Sequence, residues 1–69
     1  MYPNLRAEMA RKGITQKKLL LELFKMGVKI SDSTLNLKLN GKNDFTFPEA
    51  LAVKNVVCPE MPLEEMFAV

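Results

Sequence analysis

Between residues 13 and 43 the chain carries helix start and stop signals in an order that restricts what it can fold into. Thr15 and Ser31 are typical N-cap residues, because a hydroxyl can accept hydrogen bonds from the free N–H groups of a helix's first turn. Gly27 and Gly41 are typical stop residues, because glycine readily adopts the left-handed conformation that ends a helix. Two capped helices joined by a glycine-bearing turn predict a helix-turn-helix over approximately residues 15–42.

Three further helices are predicted around this motif. The first runs from about Pro3 or Asn4 to Lys12, and the short segment 62–67 is predicted as an acidic helix. Thr46 begins the remaining helix with a capping box that Glu49 completes. We therefore expect an all-α, compact five-helix domain that occupies residues 1–69 as a single helix-turn-helix unit.

Apolar side chains indicate which helix faces are buried. On the predicted third helix, Leu35 and Leu39 share one face and are expected to lie in the core. On the fourth helix four residues are expected to face inward: Phe47, Leu51, Val53 and Val57. The second helix carries more apolar residues than one buried face accommodates, so we expect it either to be central to the core or to meet a partner.

Composition argues against several classes of function. Cys58 is the only cysteine and the chain contains no histidine, so an internal disulfide, a zinc site and a Cys–His nucleophilic pair are not available. No set of side chains supplies the acid, base and oxyanion roles of an active site. No apolar run approaches the roughly 20 residues of a membrane span. We expect no catalytic residues, no cofactor, no metal and no membrane association, in a cytoplasmic protein.

Charge is distributed unevenly along the chain. Residues 1–42 hold nine of the ten basic residues against three acids, a net charge of +6, whereas residues 43–69 hold one lysine against five acids, a net charge of −4. A basic half suggests a surface that faces a polyanion. Lysines that merely solvate helix faces would give the same distribution. Charge therefore permits DNA binding without deciding it.

Several segments occur in an order that resembles the lambda-repressor-like regulators of the Cro and xenobiotic-response-element type. They are Asn-Leu-Arg at 4–6, Gly-Ile-Thr-Gln-Lys at 13–17, Ser-Asp-Ser-Thr at 31–34, Lys-Leu-Asn-Gly-Lys at 38–42, Phe-Thr at 45–46 and Leu-Glu-Glu-Met-Phe at 63–67. Small members of this class are common in prophages and mobile elements. The resemblance covers nearly the whole chain and implies a transcription regulator that binds double-stranded operator DNA as a homodimer.

The resemblance also implies roles for residues at the front of the motif. Gln16 resembles the glutamine that contacts the DNA backbone and helps to orient the recognition helix, and Lys17 lies beside it near a phosphate. The recognition helix covers about residues 32–39, and Asp32, Ser33 and Asn36 fall on its base-reading positions. Asn36 can pair with the N6 and N7 atoms of adenine in the major groove.

Five more positions complete the expected DNA-binding set: Ser31, Leu37, Lys38, Lys42 and Asn43. Ser31 lies at the start of the recognition helix. Leu37 can contact a thymine methyl group or belong to a protein interface. Lys38, Lys42 and Asn43 are expected to meet phosphates near the end of the helix.

The spacing departs from the pattern of the resembling class. About five extra residues separate Thr15 from Ser31, and they lengthen either the second helix or the turn, which shifts the recognition helix relative to DNA. An alternative function is therefore a protein-interaction module on the same fold. In that case the leucine-rich second helix and Leu37 dock on another regulator or on a recombinase rather than on DNA.

Overall fold

Five α-helices follow one another in the computed structural model, which describes residues 2–69. They are α1 (Pro3–Lys12), α2 (Gln16–Lys25), α3 (Asp32–Leu39), α4 (Phe47–Val57) and α5 (Leu63–Met66). No strand occurs within residues 2–69, and the Cα radius of gyration is 10.6 Å. The prediction of a compact, all-α, five-helix chain is confirmed.

Hydroxyl side chains begin three of the helices, as predicted. At each N-cap the hydroxyl oxygen accepts from the N–H group three residues further on, which satisfies one of the free donors of the first turn. The pairs are Thr15 with Lys18 at 3.1 Å, Ser31 with Thr34 at 3.1 Å, and Thr46 with Glu49 at 3.4 Å. The Glu49 carboxylate accepts in return from the Thr46 N–H at 2.9 Å, which completes the predicted capping box.

Glycines end the first three helices. At the end of α2, Gly27 has φ +87°, its N–H donates to the Phe24 carbonyl at 3.0 Å, and the Val28 N–H donates to the Leu23 carbonyl at 2.9 Å. This pair of bonds defines a Schellman motif, which satisfies carbonyls that the helix leaves free. The same motif ends α1 at Gly13 and α3 at Gly41.

The hydrophobic core lies between α4 and the helices around it. α4 packs against α1, α2 and α5, while α3 packs against α2. The largest fully buried side chains come from all five helices: Leu5, Leu19, Leu23, Leu35, Leu39, Val53, Val57 and Met66. The rings of Tyr2, Phe45 and Phe67 pack with centroids 5.3–5.9 Å apart beside this core. The predicted burial of four residues is confirmed for Leu35, Leu39, Val53 and Val57.

Two predicted core residues of α4 are exposed instead. Phe47 is 67% exposed and Leu51 is 37% exposed, so their assignment to the core was wrong. Residues 51 and 53 are separated by about 200° around an α-helix. α4 therefore cannot turn residues 51 and 53 toward the same core. Val53 and Val57 are fully buried, so the face that carries them is the inner one.

α2 divides its apolar residues between the core and the surface. Leu19 and Leu23 are fully buried, whereas Leu21 and Phe24 are 56% and 62% exposed. The core therefore uses one side of this helix and leaves an apolar stripe outside. None of the helices within residues 2–69 combines the length and the apolarity needed to cross a lipid bilayer.

Replacing Gly27 by alanine tests the end of α2. A β-carbon at this position would meet no neighbouring atom within 4 Å, so the change acts on the backbone alone. We expect Gly27→Ala to lower the free energy of unfolding by about 1–2 kcal/mol, the cost of a left-handed conformation for a residue with a side chain. Urea unfolding of both proteins measures it.

Gly27→Asn is the matched control, because asparagine tolerates the left-handed region better than alanine does. It should lose less stability than Gly27→Ala. Equal stability of Gly27→Ala and the unchanged protein would contradict the assignment of Gly27 as the obligatory end of α2.

Candidate nucleic-acid interface

The connection between α2 and α3 is longer than usual and contains part of the extra length that the sequence showed. α2 ends at Lys25 and α3 begins at Asp32, which leaves six residues, 26–31, in the turn. A turn of 3–4 residues is usual in a helix-turn-helix. Val28 and Ile30 are half-buried and pack against the core, so the longer turn is anchored at two points. The turn therefore accounts for two or three of the extra residues, and α2 is ten residues long.

A side chain from α2 ties the first turns of α2 and α3 together. The Gln16 Nε2 group donates to the Asp32 carbonyl oxygen at 3.2 Å and to Asp32 Oδ1 at 3.0 Å. These bonds use the amide hydrogens that a phosphate would accept. The Gln16 side chain therefore links the first turns of α2 and α3 through its amide group.

The outward face of α3 is polar apart from one leucine. Asp32, Ser33 and Asn36 are exposed, and Leu37 is 41% exposed. Leu35 and Leu39 are fully buried. The structure thus brings the three residues predicted to read bases onto one accessible helix surface, with Leu37 beside them.

Ser31 uses its hydroxyl within the helix cap. Its oxygen accepts from the Thr34 N–H at 3.1 Å, and its hydroxyl donates to Thr34 Oγ1 at 2.8 Å. The Ser33 hydroxyl lies 3.3 Å away. The hydroxyl proton of Ser31 is therefore committed, and the residue sets the start of α3 rather than offering a donor to DNA.

Lys38 does not reach the surface, and its predicted contact with a phosphate was wrong. Its side chain is 10% exposed and forms an ion pair with Glu49, which is 16% exposed. The ammonium group also lies 6.0 Å from the centre of the Phe45 ring. Lys38 is three residues beyond the buried Leu35, and this spacing was the signal in the sequence that placed it on the inner face.

The ion pair changes the acidity of Glu49. Burial alone would raise the pKa of this carboxyl group, but hydrogen bonds from the Lys38 ammonium and the Thr46 N–H outweigh burial. The pKa of Glu49 therefore lies below its ordinary value of 4.5. The charged form of Glu49 holds α3 and α4 together.

Lysines flank the exposed face of α3 at both ends of the motif. Lys17 and Lys42 are exposed, and neither forms an ion pair among residues 2–69. The N–H groups of Lys42 and Asn43 both point to the Leu37 carbonyl, at 2.9 and 3.4 Å. Only the exposed side chains of these two residues are thus free for a phosphate. Lys29, exposed in the long turn, was not in the predicted set.

Two residues that sequence reasoning missed hold Asn36 in place. Asn40 Nδ2 donates to Asn36 Oδ1 at 2.5 Å, and Arg6 Nη2 donates to Asn40 Oδ1 at 2.7 Å. The spacing of four between the two asparagines could have indicated the first bond. The second joins residues 34 positions apart, which no local pattern reveals.

Other candidate sites are sparse. Among residues 2–69, no group of three or more histidine, cysteine, aspartate or glutamate side chains is arranged to hold a metal ion. Cys58 is buried, as expected of a small apolar side chain. An open groove of about 520 Å³ lies beside α4 and α5 and is lined in part by Phe47, Leu63 and Phe67.

These features define a small all-α domain with an exposed polar helix and adjacent basic residues. The chain belongs to the family described as a domain of unknown function, DUF6471, whose model matches residues 3–57. The match includes α1 to α4, and with them the whole candidate interface. No curated protein and no solved structure matches the chain.

Lys38→Met tests the ion pair, because it removes the charge and keeps much of the side-chain length. We expect the free energy of unfolding at about pH 7 to fall by about 2 kcal/mol, since a largely buried carboxylate loses a charge-assisted hydrogen bond. Because folding lowers the pKa of Glu49, this stabilisation is present above about pH 4.5 and is lost as the pH falls below it. Urea unfolding at about pH 7 and about pH 3 measures both effects.

Lys25→Met is the control, since the pair of Lys25 with Glu22 is exposed and spans 3.5 Å. Its effect should stay below about 0.5 kcal/mol. A loss for Lys38→Met that is the same at both pH values would show that the charge of Glu49 does not hold α3.

Proposed function

We propose that this chain is a sequence-specific DNA-binding transcriptional regulator of the lambda-repressor-like class, without catalytic activity. α3 is the recognition helix and enters the major groove of double-stranded DNA. The observation that carries the proposal is the exposed polar face of α3, with Asp32, Ser33 and Asn36 on one accessible surface. The bond from Gln16 to Asp32 supports it, because a recognition helix must be held at a defined angle to the helix before it.

Backbone contacts come from α2 and from the residues after α3. Lys17 and Lys42 supply positive charge at the two ends of the motif, and Asn43 supplies an amide beside Lys42. The first turn of α2 adds main-chain N–H groups at the positive end of a helix dipole, which suits a phosphate. Such contacts provide affinity, while base contacts from α3 provide specificity.

The resemblance to regulators of prophages and mobile elements extends this proposal to the origin and location of the protein. We assign it to a phage or mobile-element setting and to the cytoplasm, where its DNA is accessible. The acidic half of the chain supports a single DNA-facing side, because α4 and α5 carry three acidic residues and one basic residue, Lys54.

A homodimer is part of the same proposal. Phe47 and Leu51 are exposed one turn apart on α4, and Phe47 borders the groove beside α5. Self-association through this surface covers apolar area that otherwise faces water. The described residues measure 24 × 22 × 20 Å, so two adjoining copies can place their α3 helices about 34 Å apart, one turn of DNA.

A second candidate function is a protein-interaction module on the same scaffold. The exposed apolar stripe of α2 favours it, since Leu21 and Phe24 are each more than half exposed. In this case another regulator or a recombinase covers α2 and Leu37, and binding to DNA is weak or absent. The response of binding to salt separates the two functions.

Lys42→Gln tests the phosphate contact. Each phosphate contact contributes about −0.9 to the slope of the logarithm of the binding constant against the logarithm of salt concentration. We therefore expect Lys42→Gln to weaken binding to a mixed-sequence duplex and to reduce this slope by about one. Fluorescence anisotropy between about 50 and 200 mM salt measures both.

Lys54→Gln is the charge-matched control, because Lys54 lies on α4 and donates to the Pro59 carbonyl. Its salt slope should equal that of the unchanged protein. Absence of binding by the unchanged protein at the lower salt concentration would overturn the DNA-binding proposal and leave the protein-interaction module.

Phe47→Glu tests the proposed dimer. A carboxylate in the middle of the apolar surface should reduce self-association about tenfold or more, because the charge loses water when the surface is covered. Stability of the monomer should change by less than about 0.5 kcal/mol, since Phe47 is largely exposed. Sedimentation velocity and urea unfolding measure the two quantities.

Phe24→Glu is the control, because Phe24 is exposed to a similar extent on α2. It should leave the dimer intact. A loss of self-association in Phe24→Glu but not in Phe47→Glu would assign the dimer contact to α2 instead.

A further inference from the structure

A chain of hydrogen bonds runs from α1 to the exposed face of α3. Arg6 Nη2 donates to Asn40 Oδ1 at 2.7 Å, and Asn40 Nδ2 donates to Asn36 Oδ1 at 2.5 Å. Arg6 and Asn40 are half-buried, whereas Asn36 is exposed. The inner end of the chain is therefore fixed in the protein, and its outer end lies among the proposed base-reading residues.

The guanidinium group sets the direction of every bond in this chain. Arginine has only donors, so the atom of Asn40 that faces Arg6 must be its carbonyl oxygen. The Asn40 amide nitrogen then points to Asn36, which must accept through Oδ1. An asparagine carboxamide normally offers a donor or an acceptor after a simple rotation, but here Arg6 removes that choice.

Asn36 is consequently left with a defined polarity at the surface. Its Nδ2 group, with two N–H donors, has no protein partner among residues 2–69, while its oxygen is engaged by Asn40. Hydrogen bonds in series polarise one another, so the bonds from Arg6 and Asn40 make the Asn36 N–H groups stronger donors. They also make its oxygen a poorer acceptor for a second partner.

We propose that Arg6 and Asn40 are positioning residues that make Asn36 a donor to bases and so direct it to guanine. The major-groove edge of guanine offers two acceptors, N7 and O6, whereas adenine offers one acceptor beside an amino donor. This inference rests on the proposed function and replaces the adenine expected from the sequence alone. Asn36 selects guanine over adenine by about tenfold at one position of the DNA site.

Asn40→Asp reverses the polarity without removing the chain. The new carboxylate still accepts from Arg6 but has no N–H to donate, so the Asn36 amide rotates and donates Nδ2 inward. Its oxygen then faces outward as an acceptor. The preferred base changes from guanine to cytosine or adenine, whose major-groove edges carry an amino donor.

The first measurement examines the chain without DNA, by NMR hydrogen exchange of the side-chain amide groups. In the unchanged protein the Asn40 amide should exchange more slowly than the Asn36 amide, because only the former donates within the protein. In Asn40→Asp the Asn36 amide should exchange more slowly than it does in the unchanged protein, because it now donates to the new carboxylate. A protected Asn36 amide in the unchanged protein would overturn the proposed polarity, whatever the protein does with DNA.

The second measurement is selection from a library of randomised duplexes, followed by sequencing. The unchanged protein should enrich guanine at one position that becomes cytosine or adenine in Asn40→Asp. Asn43→Asp adds the same charge near the end of α3 outside the chain, so it should weaken binding and keep the guanine. Arg6→Lys, which retains a donor, should also keep it.

The two measurements separate failure of the inference from failure of the proposed function. Enrichment of the same base by the unchanged protein and by Asn40→Asp refutes the role of Arg6 and Asn40 while leaving DNA binding in place. Failure of every protein to enrich any duplex, with the amide exchange as expected, refutes DNA recognition and the inference that rests on it.

Discussion

The position of α3 depends on the ion pair between Lys38 and Glu49. α3 packs against α2, and its direct polar link to α4 is this bond. Glu49 also accepts from the Thr46 N–H at 2.9 Å, so one carboxylate begins α4 and anchors α3. Breaking a buried pair leaves an uncompensated charge, which costs more than the pair itself contributes. An ion pair on the buried face of α3 therefore helps to fix the position of its exposed face.

Local signals made most of the helix boundaries predictable. A cap hydroxyl at Thr15, Ser31 or Thr46 bonds to an N–H only three residues away, and a glycine stop closes bonds within the last turn. Such interactions depend on neighbours in the sequence and hardly on the rest of the fold. The exposure of Ser33 followed from the same source, because a helix with Leu35 and Leu39 inward turns Ser33 outward, whereas Asp32 and Asn36 lie at the edge of the buried face.

Interactions between distant parts of the chain were not predictable. The spacing of Lys38 from Leu35 indicated the inner face, but the carboxylate that pairs with its charge belongs to another helix, α4. Asn36 resembles an ordinary exposed amide, and its polarity depends on Arg6 in α1. Phe47 and Leu51 have apolar side chains that suggest burial in the core, but α4 packs against the core through the face that carries Val53 and Val57. For Lys38 and Asn36 the decisive partners belong to other helices.

The long turn shows how a candidate recognition helix can keep its place after an insertion. Lengthening a turn from three or four residues to six adds about 0.6 kcal/mol of closure entropy at most. Hydrogen bonds contribute about 1 kcal/mol each, so the bonds from Gln16 to Asp32 offset that cost. They join the first turn of α2 to the first turn of α3, at the opposite end of α2 from the added residues. The bonds from Gln16 to Asp32 therefore fix the first turns of the two helices relative to each other, while Val28 and Ile30 anchor the turn on the core.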